Sequence, residues 1–111
     1  MNFEDHIISI TDKNFKEVVL DSKGLIVVIF EKNYWGTAQI MKNILKELVS
    51  KQQFKFRLYK YDLEECNLIS NEFAIYNQTT ILFFKDGKLL KKTGISSKPE
   101  LEKILLEMIG N

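Results

Sequence analysis

The sequence predicts an α/β fold, in which a mixed sheet of about five strands carries helices on both faces. Short apolar runs that are typical of strands alternate with stretches whose apolar residues recur at helical spacing. Later in the chain, two strand-like runs flank Asp86 and Gly87, a pair of residues that favours a tight hairpin turn. The predicted order of elements is β-α-β-α-β-α-β-β-α, in a single domain over residues 1–111.

The first half of the chain contains two predicted strand–helix pairs. Residues 7–10 form a short apolar strand, and Asp12 is expected to cap a helix that ends near Asp21 and buries Phe15. The unbroken apolar run of residues 25–30 indicates a strand that is covered on both faces. Residues 38–49 follow with apolar side chains at helical spacing, which predicts the second helix.

The second half contains a third strand–helix pair, the hairpin and a last helix. Apolar and polar residues alternate over residues 54–61, which predicts a strand, and residues 64–75 predict a weaker helix. The hairpin strands are residues 79–84 and 89–93. Ser97 and Glu100 then form the pattern of a capping box, with the only proline between them, so the last helix is expected to begin there.

Composition and charge exclude several classes of function. Sixteen lysine and arginine residues nearly balance fifteen aspartate and glutamate residues, so nothing predicts binding to nucleic acid or to an anionic membrane. The longest apolar run is far too short to span a membrane, and the first residues lack the basic start of a signal peptide. We therefore expect a cytoplasmic protein without a cofactor. A metal site is not expected, since the single histidine, His6, has no neighbouring ligand in sequence.

Charged residues along the two long helices are expected to face solvent, and neither group is assigned a site. The second helix and its end carry Lys42, Lys46, Glu47 and Lys51, and the last helix carries Glu100, Glu102, Lys103 and Glu107.

Several short motifs resemble the thioredoxin family, in the same order and at similar spacing across nearly the whole chain. Residues 10–15 resemble the start of the family's first helix, and residues 60–64 resemble the end of its third strand. Residues 84–88 match its Phe-Lys-Asn-Gly-Glu hairpin, and Gly94 matches the glycine after its last strand. The resemblance implies the thioredoxin fold.

The active-site motif of that family, Trp-Cys-Gly-Pro-Cys, corresponds here to residues 34–38, and the resemblance implies that its reactive groups are replaced. The nucleophilic cysteine corresponds to Trp35, the resolving cysteine to Ala38 and the proline between them to Thr37. The buried acid corresponds to Ile29 and the cis-proline to Thr79, while Lys60 matches. Thiol–disulfide exchange needs a thiolate and a resolving thiol, which indole and methyl groups cannot supply. We therefore expect no catalytic residues at these positions.

The same resemblance implies a surface that binds a protein partner. The residues expected to form it are Tyr34, Trp35, Gly36, Thr37, Gln78, Thr79, Gly94 and Ile95. Tryptophan and tyrosine are favoured anchors of interfaces, because they bury a large area with few rotatable bonds. Two alternatives stay open for Trp35, which either anchors a partner or folds back into the vacated groove.

Two hypotheses about function follow from these residues. The first is a redox-inactive member of the family that acts as a protein-binding, chaperone or assembly module and is a monomer or a weak homodimer. Its partner is an unidentified protein. The alternative is a divergent oxidoreductase that uses Cys66 as a single thiol. Cys66 is predicted near the start of the third helix, whose dipole favours a thiolate, whereas the preceding Glu64 and Glu65 oppose one.

Overall fold

The computed structural model of the protein describes residues 7–110, so the prediction for His6 lies outside the described residues. The elements are β1 (Ile8–Ile10), a π-helical segment (Lys16–Leu20), β2 (Leu25–Glu31), α1 (Gly36–Val49), β3 (Arg57–Asp62), α2 (Leu68–Glu72), β4 (Thr80–Lys85), β5 (Lys88–Thr93) and α3 (Lys98–Ile109). This order agrees with the predicted α/β fold. The single-domain organisation over residues 1–111 stays a prediction.

The five strands form one mixed sheet in the spatial order β1-β3-β2-β4-β5. β3 pairs in parallel with both β1 and β2, while β4 pairs antiparallel with β2 and with β5. Two crossover connections place β3 between β1 and β2, and the hairpin adds the last two strands. The carboxyl end of β2, the start of β4 and the end of β5 therefore meet at one edge of the sheet.

A hydrophobic core lies on each face of the sheet. Alternate residues of β2 point to opposite faces, so Val27 and Ile29 pack with α1 and α3, whereas Val28 and Phe30 pack with the π-helical segment and α2. β2 is buried at every position, as the apolar run of residues 25–30 predicted. This central strand holds both layers together.

The first helix differs from its prediction. The segment before β2 is a turn followed by one wide π-helical stretch, in which the Asp21 amide donates to the Lys16 carbonyl oxygen, five residues back, at 2.8 Å. Phe15 is fully buried, as expected. Asp12 does not cap this segment. Its carboxylate instead accepts hydrogen bonds from the backbone amides of residues 67, 68 and 69, at the start of α2.

Asp12 also accepts a hydrogen bond from the Tyr61 hydroxyl at 2.5 Å. Burial alone would raise the pKa of Asp12, but the Tyr61 bond and the three amide bonds outweigh it, so the pKa lies below its usual value. Burial and the bond to Asp12 raise the pKa of Tyr61 to about 12. Asp12 thus links β1, β3 and α2.

The remaining elements match their predictions, with boundary shifts of one or two residues in several elements and larger shifts in two. β3 begins at Arg57 rather than residue 54, and α2 covers only Leu68–Glu72 of the helix predicted over residues 64–75. The hairpin turn has positive φ at Asp86 and Gly87, as the tight turn requires. The capping box is present, with Ser97 accepting from the Glu100 amide while the Glu100 carboxylate accepts from the Ser97 amide.

In residues 7–110, no helix is long and apolar enough to cross a membrane.

Candidate functional site

A groove of about 630 Å³ lies at the sheet edge where β2, β4 and β5 meet. Three segments line it, and they come from the start of α1, the loop before β4 and the loop after β5. The lining residues are Trp35, Gly36, Thr37, Asn77, Gln78, Thr79, Gly94 and Ile95. Residues that are up to sixty positions apart in sequence thus form one surface, because the sheet order brings the ends of these three strands together.

Trp35 is the N-cap residue of α1 and forms one wall of the groove. Its backbone is extended, with φ −73° and ψ 126°, and its side chain is half-buried. The Lys32 ammonium lies 5.6 Å from the centre of the indole ring, within the range of a cation–π interaction. The groove beside Trp35 is open. The indole ring therefore borders the groove and does not fill it.

Thr37 and Thr79 bridge the floor of the groove. Their hydroxyl oxygens lie 2.9 Å apart and share one hydrogen bond, and Thr79 is buried. Every peptide bond in the described range is trans, including the one before Thr79. This bond joins the start of α1 to the loop before β4, so it sets the spacing between two sides of the groove.

None of the eight lining residues carries a titratable side chain. Ala38 and Ile29 lie behind the groove, and both are completely buried in the core. The groove therefore offers apolar surface, neutral hydrogen-bonding groups and backbone amides. Its lining contains no thiol and no titratable side chain, and its two hydroxyl groups, on Thr37 and Thr79, bond to each other.

Comparison with known proteins identifies the family. The family model named Thioredoxin matches residues 6–107. The chain belongs to the thioredoxin family. A thioredoxin from Mycoplasmoides gallisepticum is 33% identical over 97 residues, covering 86% of this chain and 96% of that relative. A thioredoxin from Buchnera aphidicola is 34% identical over 105 residues, covering 94% of this chain and 97% of the relative. Thioredoxin H-type from Ricinus communis is 32% identical over 85 residues, covering 77% of this chain and 71% of the relative.

Within this thioredoxin-family fold, the structure brings together seven of the eight residues predicted for the binding surface. Tyr34 does not line the groove, but it precedes Trp35 and is 69% exposed. Asn77 lines the groove and was not predicted. It comes directly before Gln78 in the same loop, so continuity with the predicted residues was the only sequence signal for it.

A buried ion pair lies at the base of the loop that leads to Trp35, and the sequence analysis did not predict it. Lys42 was expected to face solvent, but its side chain is only 8% exposed and its ammonium lies 3.0 Å from Oε1 of Glu31, which is 3% exposed. Lys42 falls on the same helical face as Ala38 and Leu45, at a spacing of four and three residues, and both of these are buried. That position within the apolar stripe was the signal for its burial.

Cys66 lies elsewhere, in a smaller cavity of about 230 Å³ at the carboxyl ends of the parallel strands. It is half-buried, and its amide donates to the Asp62 carbonyl oxygen at 3.0 Å, in the turn that precedes α2. Glu31, Lys60 and Glu65 line the same cavity. Cys66 thus sits two residues before α2 rather than within it, and separate from the Trp35 groove.

A larger, mainly apolar cavity of about 670 Å³ lies along β1, between β3 and the end of α1. None of the residues that the family resemblance assigns to the site lines this cavity. Among residues 7–110, no group of three or more histidine, cysteine, aspartate or glutamate side chains is arranged to hold a metal ion.

Proposed function

We propose that this member of the thioredoxin family is redox-inactive and binds another protein through the groove beside Trp35. The single observation that carries this proposal is the open groove that retains the family's position but has no sulfur and no titratable group along its walls. A surface of this chemistry is suited to recognising a partner by shape, apolar contact and neutral hydrogen bonds. A role as a chaperone, assembly or scaffold module fits such recognition, and a cytoplasmic location belongs to the same proposal.

The residues around the groove supply the contacts that an interface needs. Trp35 offers a large, half-buried aromatic face, and Ile95 and Tyr34 are 65% and 69% exposed at its sides. The amide groups of Asn77 and Gln78 can donate and accept hydrogen bonds at the rim. Anchors of this type, surrounded by polar groups, are the usual arrangement of an interface hot spot.

Affinity capture with the wild-type chain and with Trp35→Ala tests the proposal. Removing a tryptophan anchor is expected to weaken specific capture by about 30-fold, the effect of a hot-spot residue. Leu68→Ala is the matched control, because Leu68 is 66% exposed and lies on α2, outside the groove. Retention of every specific partner by Trp35→Ala would contradict the proposed surface.

The alternative function is a thiol–disulfide oxidoreductase that acts through Cys66 alone. The cavity of about 230 Å³ that the half-buried Cys66 lines gives this alternative a specific basis. In this scheme the Cys66 thiolate attacks a substrate disulfide, and an external thiol resolves the mixed disulfide. Insulin reduction with glutathione as the external thiol separates the two functions. Activity above background that is lost in Cys66→Ser would overturn the redox-inactive proposal.

A second copy of the chain is a third class of partner. Leu89 and Leu90 on the edge strand β5 are 40% and 46% exposed, and Tyr34 and Trp35 form the other candidate contact. Sedimentation at increasing protein concentration distinguishes a monomer from a weak homodimer. If the chain associates, loss of that association in Leu90→Lys would assign the contact to the edge strand β5.

A further inference from the structure

The loop of residues 32–35 leads to Trp35, and side chains of α1 hold it at Asn33, in addition to the bond from the Gln39 backbone amide to the Trp35 carbonyl oxygen at 3.2 Å. The Lys42 ammonium donates to the side-chain oxygen of Asn33 at 3.2 Å. The side-chain amide of Gln39 donates from Nε2 to the backbone carbonyl oxygen of Asn33 at 2.6 Å. Asn33 is itself exposed, so its position is set by these two bonds from α1 rather than by packing.

The bond from Lys42 originates in the buried ion pair. The Lys42 ammonium lies 3.0 Å from Glu31, whose carboxylate accepts no hydrogen bond at Oε1, so the attraction between the two groups is electrostatic. Glu31 is the last residue of β2, directly before the loop, and Lys42 is on the second turn of α1. The pair therefore spans the base of the loop, and the same ammonium group donates to Asn33.

Stability does not require charges at this position. Burying two charges has a large desolvation cost, and well-packed apolar residues are often equally stable in place of a buried ion pair. An apolar pair, however, has no donor for Asn33. The charged pair therefore supplies a bond to the Asn33 side chain that an apolar pair cannot supply, in addition to the bond that Gln39 makes to the Asn33 carbonyl oxygen.

We propose that Glu31 and Lys42 are positioning residues, which hold Asn33 and thereby fix the direction in which Trp35 faces the groove. This inference rests on the proposed function and deepens it, because it names the contacts that pre-organise the binding surface. A pre-organised anchor binds more tightly than a mobile one, since less conformational entropy is lost on binding.

The double variant Glu31→Leu/Lys42→Met tests the inference. It removes both charges together, so no unpaired charge is left in the core, and the variant is expected to fold with the urea midpoint of the wild type or higher. Trp35 is the only tryptophan of the chain, so its fluorescence reports on this loop alone. Because the released loop gains motion on the nanosecond scale, acrylamide quenching of Trp35 is expected to rise by about twofold, with a matching fall in anisotropy.

Three further variants separate positioning from a general structural effect. Asn33→Ala removes the link but keeps the ion pair, and it should raise the quenching in the same direction. Lys42→Arg keeps a charged donor and should retain wild-type quenching and capture. Lys98→Met breaks the exposed ion pair between α3 and Glu47 of α1, away from the loop, and should change neither.

Two results would overturn the inference. The first is a folded double variant with wild-type quenching, because the loop would then be held without the pair. The second is a double variant that shows increased quenching but retains every specific partner, in an assay where Trp35→Ala loses its partners. Quenching is measured without a partner, so it tests the positioning of Trp35 separately from binding. The positioning inference can be contradicted while the proposed binding surface is supported. The binding surface can also be contradicted while the ion pair is found to hold Trp35.

Discussion

Trp35 occupies the residue position where the resemblance to thioredoxins places a nucleophile, and its surroundings suit an aromatic side chain. Ile29 and Ala38 are completely buried, and the hydroxyl groups of Thr37 and Thr79 bond to each other across the groove. A carboxylate at residue 29 would have a large desolvation cost in this apolar core. The residues at these positions therefore fit one another in a site without a thiol. The replacement of a single cysteine would not by itself require changes at the other positions.

The double variant Trp35→Cys/Ala38→Cys is expected to form a disulfide within the chain. The two residues lie three positions apart at the start of α1, a spacing that brings side chains together. Mild oxidation followed by alkylation and mass measurement should show two protected thiols, with Cys66 still free. Trp35→Cys alone is the control, since it has no partner at residue 38.

Alkylation of all three thiols after oxidation would contradict that expectation and would show that residues 35–38 follow a path unlike that of the family. Insulin reduction by the oxidisable variant is expected to stay slow, because Ile29 and Thr79 remain in place and supply neither an acid nor a proline.

At the scale of elements, Asp12 shows how one side chain can serve a distant helix. It caps α2 from a turn that is 57 residues earlier in the chain, because β1 and β3 are neighbours in the sheet. α2 has only five residues and little internal hydrogen bonding, so it depends on this carboxylate. The cap therefore belongs to the tertiary structure rather than to α2 itself.

Asp12→Asn is expected to destabilise the protein by about 0.3–1 kcal/mol at pH 7, because Asn keeps one accepting oxygen for the amides of α2 but loses the negative charge at the start of that helix. The pKa of Asp12 is lower in the folded protein than in the unfolded chain, where it is about 3.9. The charge therefore stabilises the fold fully above the unfolded value, and this contribution is lost as the pH falls below about 3.9 through the folded pKa. Urea unfolding of both proteins at pH 7 and pH 3 should show a smaller difference at pH 3. An equal difference at both pH values would contradict the charge-based role.

The hairpin between β4 and β5 offers a second test at this scale. Gly87 has φ +82°, and a Cβ there would lie 2.2 Å from the Leu20 carbonyl oxygen. Gly87→Ala is therefore expected to lower the free energy of unfolding by more than about 1 kcal/mol. Gly36→Ala is the matched control, because no atom lies within 4 Å of its added Cβ, and it should not destabilise. Equal stability of both variants in urea would contradict the close approach.

At the scale of the whole molecule, the two cores share one sheet and are expected to unfold together. Leu45 is fully buried on the face of α1 and α3, and Phe15 is fully buried on the opposite face. Leu45→Ala should cost about 2–5 kcal/mol, and Phe15→Ala about 3–5 kcal/mol. For each variant, unfolding followed by far-UV circular dichroism and by Trp35 fluorescence should give one midpoint. Separate midpoints would show that one face can open alone, and Leu106→Ala, at an exposed site, should leave both unchanged.

Much of the fold could be predicted from the sequence because its signals are local. The apolar run of β2, the Asp86–Gly87 turn and the capping box of Ser97 each depend on residues within a few positions of one another, whose backbone preferences act wherever the segment lies. The family resemblance likewise located residues 34–38, 78–79 and 94–95 before any contact was known. Motif order and local patterning were therefore sufficient for the α/β order and for most of the groove.

Only the tertiary structure decided which side chains act on distant elements. Asp12 caps α2, Lys42 is buried against Glu31, and Asn77 joins the groove. The first and third outcomes depend on the strand order β1-β3-β2-β4-β5, which brings together segments that are far apart in the chain, and the second depends on how α1 packs against the end of β2. A charged residue on a helix is expected to face water until a partner of opposite charge is placed beside it, and sequence spacing alone does not place that partner. The sequence thus determined the scaffold of the thioredoxin family, while packing determined which distant side chains meet, because a contact between remote segments depends on how the elements are placed and not on local pattern.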